Sequence, residues 1–460
     1  MGEVLTNQHI ITIVMTLFLI TLVGIYSGKK IKCDDDFCQG GNKAGVGIIT
    51  GTIMGTLVGG ASTVGTAQMA FVYGFSAWWF TLGAGIGCLV LGTFFVHPIR
   101  KSGVKTVPQI LLNQYGEKAG LFSGIFSSIG IFLNIVAQVI SVVALISAMF
   151  NIHSYSAALL GILLMAFYVV FGGVWGTGMV GIFKTILAYF TIIFSGLLAL
   201  FLIGGVTGLR EAFPPYPWFS LFGRGVGEDL SAGFSLIVGV LSTQTYIQAI
   251  ISGRDLKSSR RGAWLSSVLI PPIGLAGILI GLYMKANFPE SDPAIVFPLF
   301  VLKFLNPWVG GIVLATLLLS AIGTGAGLSL GVSTILTQDI YKKYFNPTAD
   351  AKKVLALTRF FICLVLILAL VFVTGNLSSL ILKWSFLSMA LRGATCFIPM
   401  SAALFLKDKV SKKAGTWAIL LGPLSVILWE LLAPSSIDSL FIGILVSIMV
   451  MAVGTMARKI

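Results

Sequence analysis

The stretch GTIMGTLVGGASTVGTAQMAFVYGF, Gly51 to Phe75, decides the fold. It is uncharged and long enough to cross about 30 Å of hydrocarbon as a helix. Gly51, Gly55 and Gly59 recur every fourth residue and make one smooth face for close helix packing. Gly59 to Thr66 then hold three glycines and three hydroxyls in eight residues. Glycine costs a helix about 1 kcal/mol relative to alanine. An apolar span can unwind there if it lines a cavity. Unwinding frees carbonyls and two half-helix ends at mid-membrane depth, where they can bind a cation and a small polar solute. The plainer alternative is an unbroken helix with a glycine packing face.

Two other spans answer this one. In LLLSAIGTGAGLSLGVSTILTQDIY, from Leu317, the glycines 323, 327 and 331 again recur every four residues, with Ser320, Thr324 and Ser329 on or beside that face. The pattern predicts contact between the two small-residue faces near Ala61 and Thr324. The segment GFSLIVGVLSTQTYIQAIISGRD, from Gly233, predicts a second break around Gly239–Gln244. Paired interruptions in corresponding places point to a transporter built from inverted repeats.

Composition places the rest of the chain in the same class. Of 460 residues 57% are hydrophobic and 10% charged, against about 25% charged in soluble domains. The apolar runs predict about 13 spans: 9–28, 45–74, 75–97, 117–149, 153–172, 176–205, 226–252, 262–284, 306–340, 354–374, 377–406, 414–433 and 438–457. The fold class is all-α, a polytopic membrane protein. Five groups of four basic residues and a terminal pair follow alternate spans, 22 of 30 on one side. They begin at Lys29, Arg100, Arg254, Lys342, Lys407 and Arg458. Only Arg210, Arg224, Lys285 and Lys303 fall on the other side. The positive-inside rule then predicts an inner (plasma) membrane protein with its N-terminus outside and its C-terminus cytoplasmic. The net charge of +14 is this cytoplasmic rim. It suits the anionic lipid of the bilayer and calls for no nucleic acid.

Enzyme signals are absent. His9, His97 and His153 lie at span ends and make no cluster, and no triad or phosphate loop occurs. Cys88, Cys363 and Cys396 lie in spans and read as small hydrophobes. CDDDFC at 33–38 reads as a polar cytoplasmic loop rather than a metal site, and no cofactor is expected. The first span has no basic region before it and no cleavage site after it, so it reads as a retained helix.

The run GGASTVGTAQMAFVYGFSAWWFTLGA, with FGGVWGTG, STQTYIQAIISGRD and STILTQDIYKKYF in order, resembles the sodium/solute symporter family. The resemblance spans about residues 9–406 and implies a LeuT-type fold. One extra helix and a loop, 1–44, would precede a five-plus-five inverted repeat. The first repeat would be 45–205, and 206–406 would hold an outer loop and the second repeat, about 226–406, followed by two helices in 407–460.

The resemblance also implies a sodium site. Carbonyls of Ala61, Val64 and Ser320 and hydroxyls at positions 323 and 324 would form it. This sequence has Thr324 but Gly323, so one hydroxyl is missing, and a hard cation wants several oxygens. Where the family has a Trp-Thr-Asp run, GMVGIFK stands, with Gly181 at the acid position and Lys184 one turn on. A lysine within a span is costly and usually functional. Lys184 either snorkels to the cytoplasmic interface, serves the substrate, or brings its ammonium to the sodium site as a substitute that exchanges a proton. The coupling ion expected is sodium, with a proton as the alternative.

Substrate candidates follow. Away from span ends, only Glu430 of the 16 acidic residues falls inside a span, and that span lies outside the repeats. A cationic substrate would find no counter-charge. Arg392 sits mid-span in ILKWSFLSMALRGATCFIPMSAALFL, near the substrate-facing tenth core helix of the family, and arginine pairs bidentately with carboxylates. The alternative is capping of carbonyls at a helix break near Gly393. Gln68 and Thr63 match family positions that contact substrate. Gln244 lies at the second predicted break, and Asn134 and Gln138 put two amides on one helix face. Any of these can equally be an interhelical hydrogen bond. The reading is a secondary transporter, cation-coupled, for a small polar or anionic solute such as a carboxylate or amino acid. A channel-like uniporter and a membrane sensor are the alternatives. The absence of a domain after Lys459 disfavours the sensor, and no obligate protein partner is implied.

Overall fold

The computed structural model describes residues 5–28, 44–104, 106–407, 409–432 and 438–456. Side chains at 21, 23–28, 169–180, 338–339 and 351–352 lie outside the described set, as does the whole of CDDDFC.

Among the described residues the chain is helical almost throughout. Helix α1 is Asn7–Gly28 and α2 is Val46–Leu57. A π turn, Ala61–Gly65, leads into α3, Thr66–Tyr73. Gly74, at φ 64°, makes the corner into α4, Trp79–Val90. A side chain at Gly74 would meet the backbone of Trp218, whose carbonyl accepts from the Phe75 amide. Glu117–Phe150 is α5, Ser154–Leu202 is α6 and Val226–Ser242 is α7. Gln244–Ile251 is α8 and Leu256–Asn287 is α9, its N-terminus capped by the Asp255 carboxylate on the Ser258 amide at 2.6 Å. Pro307–Thr334 is α10, started by an Asn306 cap and a proline at the first helical position, where no amide is lost. Ala351–Thr374 is α11, Ile381–Phe405 is α12, Lys412–Leu432 is α13 and Ser439–Met456 is α14.

Among the described residues nine helices are long and apolar enough to cross a membrane, or ten with α7 and α8 counted as one bent span. The expected number was about 13. Four shorter apolar stretches also occur among the described residues, Asn7–Ile20 within α1, Val46–Leu57, Ser154–Tyr168 within α6 and Pro293–Phe304. The predicted spans 153–172 and 176–205 fall in the single helical run α6, and Tyr168 and Lys184 both reach towards Gly323 of α10. A Cβ on Gly323 would sit 3.9 Å from both the Tyr168 hydroxyl and the Lys184 ammonium.

Both predicted breaks are present. Helix α2 stops at Leu57 and helical structure resumes at Ala61, so the interruption is at 58–60, a few residues before the centre of the glycine cluster. Helices α7 and α8 meet at Thr243 with a bend of 48°. Helix α10 packs on α6, α5 and α1, while α12 packs on α5 and α7. Helix α5 therefore runs past both breaks.

The glycine faces find partners other than those expected. Gly55 packs on the backbone of Gly181, and Gly51 on Ile182, so this face meets α6. The contact expected near Ala61 and Thr324 is present, with Gly59 against Thr324 and Gly60 against Ala321. Gly331 has nothing within 4 Å of its Cβ position, so the glycine ladder of α10 is not a continuous packing face.

Candidate functional site

The first break is closed by its own hydroxyls. The carbonyl of Gly59 accepts from Ser62 Oγ at 3.1 Å and from Thr63 Oγ1 at 2.9 Å. Ser62 Oγ also accepts from the Gly59 amide. Thr63 is thus held by the backbone of the break. The Gly60 amide donates to Gln138 Oε1 at 2.8 Å, and Gln138 Nε2 donates to Asn134 Oδ1 at 3.1 Å. The two amides predicted on one face of α5 act as a pair that holds an opened backbone. Their burial is 8% and 2% exposed, so each bond is made in a dry environment where an orphaned group is costly.

Lys184 lies beside this break. Its ammonium donates to Gly55 O at 2.9 Å, Thr324 Oγ1 at 3.0 Å and Ser320 O at 3.3 Å. The close approach of α2 and α6 at Gly55 and Gly181 brings these acceptors within reach of one side chain. Lys184 is 3% exposed and does not snorkel to an interface. Ser320 and Thr324 come together at this point. Ala61 and Val64 are buried in the π turn nearby, and the Ala61 carbonyl accepts from Thr66 Oγ1 at 3.4 Å. Gly323 faces the lysine with free room, its nearest neighbours 3.8 Å from a Cβ position. The Gly55 carbonyl was not anticipated. The signal for it was Gly55 itself, where a Cβ would lie 3.2 Å from the backbone of Gly181, three residues before Lys184.

Arg392 occupies a second buried cluster, at the other break. It is 1% exposed. Its Nε donates to Ser388 O at 3.1 Å, Nη1 to Thr243 Oγ1 at 3.0 Å, and Nη2 to Ser388 Oγ at 2.9 Å and Met389 Sδ at 3.2 Å. Ser388 Oγ in turn donates to Gly130 O on α5. Gly130 leaves room for the arginine stem, since a Cβ there would lie 2.7 Å from Arg392 Cγ. The break that Arg392 touches is at Thr243, not near Gly393, which is helical.

Two other candidates serve backbone amides. Gln68 Oε1 accepts from the Ile381 amide at 2.9 Å, at the start of α12. Gln244 Oε1 accepts from the Val107 amide at 2.8 Å. Among the described residues neither Lys184 nor Arg392 pairs with a carboxylate; the ion pairs present are Arg224–Asp229 and Arg254–Asp255. The core of the protein therefore holds two separated cationic side chains and a polar stripe on α5 between them, running from Gly130 through Asn134 to Gln138.

At the basic end of the bundle the two broken spans are tied together. Ala44 pairs with Gly253 as an isolated bridge, with Ala44 N donating to Ser252 O and Arg254 N to Ala44 O, each at 3.0 Å. Arg100 Nη1 donates to the carbonyls of Ile250, Ile251 and Gly253 and to Ser259 Oγ, capping α8.

A model of the sodium:solute symporter family matches residues 37–422. The chain is 21% identical to a sodium/proline symporter of Haemophilus influenzae, over 94% of this chain and 90% of that one. It is 23% identical to a urea-proton symporter of Oryza sativa subsp. japonica, over 85% of this chain and 59% of that one. In three dimensions it is similar to a Na+-coupled sialic acid symporter solved in a substrate-bound outward-open state. The TM-score is 0.80 at 16% identity, covering 99% of this chain and 98% of that one.

Proposed function

The chain belongs to the sodium:solute symporter family, and from that premise we propose that it is a secondary active transporter moving a small polar or anionic solute by alternating access. The observation that carries this reading is the pair of mid-span breaks, at 58–60 and at Thr243. Such breaks turn backbone dipoles toward a shared interior and give two helix bundles hinges about which to rock. We read 45–205 and 206–406 as the inverted repeats. Sodium is the coupling ion that family membership supports. Ser320, Thr324, Ala61 and Val64 are its ligands in this reading, with Thr63, Gln68, Asn134, Gln138, Gln244 and Arg392 around the solute.

One observation favours a second reading of the coupling step. The Lys184 ammonium bonds to Ser320 O and Thr324 Oγ1, two of the oxygens that a sodium ion would use. A fixed ammonium and a bound sodium cannot share these acceptors, because two cations at such separation repel strongly at low dielectric. In this reading Lys184 does the work of the ion, and loss of its proton takes the place of sodium release. A relative named as a proton symporter fits such a change of ion within one family.

Thermal unfolding in sodium chloride against potassium chloride, at equal ionic strength, separates the two. A ligand at about a hundredfold its Kd stabilises the folded state by about 2.7 kcal/mol. Sodium coupling predicts a sodium-specific rise in Tm that Thr324→Ala removes. The lysine reading predicts no sodium effect and a pH-dependent Tm that Lys184→Ala abolishes. A protein indifferent to both sodium and pH would be an uncoupled uniporter, and the symport reading would fall.

A further inference from the structure

Where α12 and α14 end side by side, the bundle holds an apolar groove with a basic mouth. Residues 406–411 turn the chain from α12 into α13, and α14 returns to the same place. The turn is fixed by its backbone: Lys409 N donates to Leu406 O at 3.0 Å and Ser411 N to Thr455 Oγ1 at 3.3 Å. Gly454 lets the last turns of α14 lie close on α13, since a Cβ there would stand 2.7 Å from that of Ala414. On the side facing α12 a cavity of about 380 Å³ remains. Pockets that hold small molecules measure about 300–1,000 Å³.

Two ladders of apolar side chains wall it. Ile398, Ala402 and Leu406 follow one another every four residues along α12 and its end, and Ile448, Ala452 and Met456 do so on α14. That spacing keeps each set on one helix face, and eight residues of helix run about 12 Å. Leu406, Ile448 and Met456 are exposed, so the groove is open along its flank. Lys409 lines the same cavity. Residues 407–413 hold four lysines and one aspartate, a net charge of +3. Lys407, Lys409, Lys412 and Lys413 are exposed, and among the described residues no carboxylate pairs with any of them.

An apolar slot topped by unpaired ammonium groups is complementary to a hydrocarbon chain joined to an anionic head. A second copy of this chain fits the groove worse. Copies in one membrane share an orientation, so a symmetric pair meeting here would press two sets of the same lysines together.

We propose that this groove is a binding site for an anionic glycerophospholipid. One acyl chain lies between the ladders of α12 and α14, and Lys409 with its neighbouring lysines holds the phosphate. Lysine suits the position, because its stem lies along apolar surface while the ammonium reaches the headgroup level. A basic cluster alone attracts anionic lipid without choosing a place for it. The groove supplies that place and sets one lipid apart from those around it. The site uses none of the residues at either break, so it stands independently of the transporter reading.

The test uses the full chain in detergent, titrated with dioleoyl phosphatidylglycerol, dioleoyl phosphatidylcholine or glycerol phosphate. Native mass spectrometry counts the lipid retained, and Tm follows its effect. The expected result is one phosphatidylglycerol held per chain under conditions that strip phosphatidylcholine, with no response to the chain-free phosphate. Lys409→Gln should weaken retention about fivefold, the share of one lysine beside an anionic lipid. Ala452→Phe, which fills the groove, should weaken it about tenfold, as if about two methylenes lost their burial. Lys257→Gln, on another basic loop, should change nothing. Phosphatidylcholine held as well as phosphatidylglycerol overturns the proposal, as does glycerol phosphate acting as well as the lipid. Lys257→Gln as damaging as Lys409→Gln would mean attraction to the whole basic rim, and overturns it too. So does unchanged retention in Ala452→Phe. Lys409 is exposed, so its substitution leaves the fold intact and decides the matter even where Ala452→Phe is unstable.

Discussion

At the scale of single residues, the deciding fact is where one ammonium goes. Lys184 reaches three oxygens on two other elements, Gly55 on α2 and Ser320 and Thr324 on α10. Removing the side chain leaves those oxygens facing one another. Gly323 stands beside them with room for a side chain. We expect Lys184→Ala combined with Gly323→Ser to assemble an oxygen set that binds sodium. The check is a sodium-specific Tm rise in the double variant that exceeds the response of the starting protein. A double variant that is stably folded yet blind to sodium would place the cation elsewhere. Gln138 makes the other single-residue prediction. Gln138→Leu takes the acceptor from the Gly60 amide inside a dry break, which should cost about 1–3 kcal/mol. Denaturant or thermal unfolding against the starting protein measures it.

At the scale of elements, the two broken spans are joined at one end by contacts that neither makes alone. Arg100 satisfies three carbonyls at the end of α8, and such carbonyls have no partner within the helix. The Ala44–Gly253 bridge holds the start of α2 against the same place. The ends of both broken spans are therefore expected to move as one body. Arg100→Met should destabilise the protein by about 2 kcal/mol. It should also raise amide hydrogen exchange in 244–253 more than in α10, which Arg100 does not cap. Equal exchange in the two segments would show that the cap is dispensable.

At the scale of the whole molecule, charge and topology give the prediction. Basic residues follow alternate spans, and the positive-inside rule predicts that their side of the membrane is the cytoplasm. In a background lacking the five native cysteines, Lys257→Cys and Glu290→Cys put exposed thiols at opposite ends. An impermeant maleimide added to whole cells should label position 290 and spare 257 until the membrane is opened. The reverse pattern would invert the topology. The fold itself was widely legible. Apolar runs in a solvent without hydrogen-bonding partners leave little choice but helices. Glycine and hydroxyl clusters marked both breaks to within a few residues. Span boundaries were less legible, because the predicted span 45–74 is divided by its break into Val46–Leu57 and a following turn and helix that ends at Tyr73.

The sequence by itself determined that this chain crosses a membrane as helices, which family it resembles, where two of those helices break, and that its core holds cations without acids. Each of these is a local property of composition and spacing. Only the tertiary structure decided which glycine face meets which helix, because glycine spacing says a surface is smooth without saying what lies on it. It also decided that Lys184 turns inward to Ser320 and Thr324. That outcome depends on Gly55 letting two backbones approach, across more than a hundred residues of chain. The same holds for Arg392. Its charge is plain in the sequence, but its position at the start of α8 comes from the packing of α12 against α7 and α5.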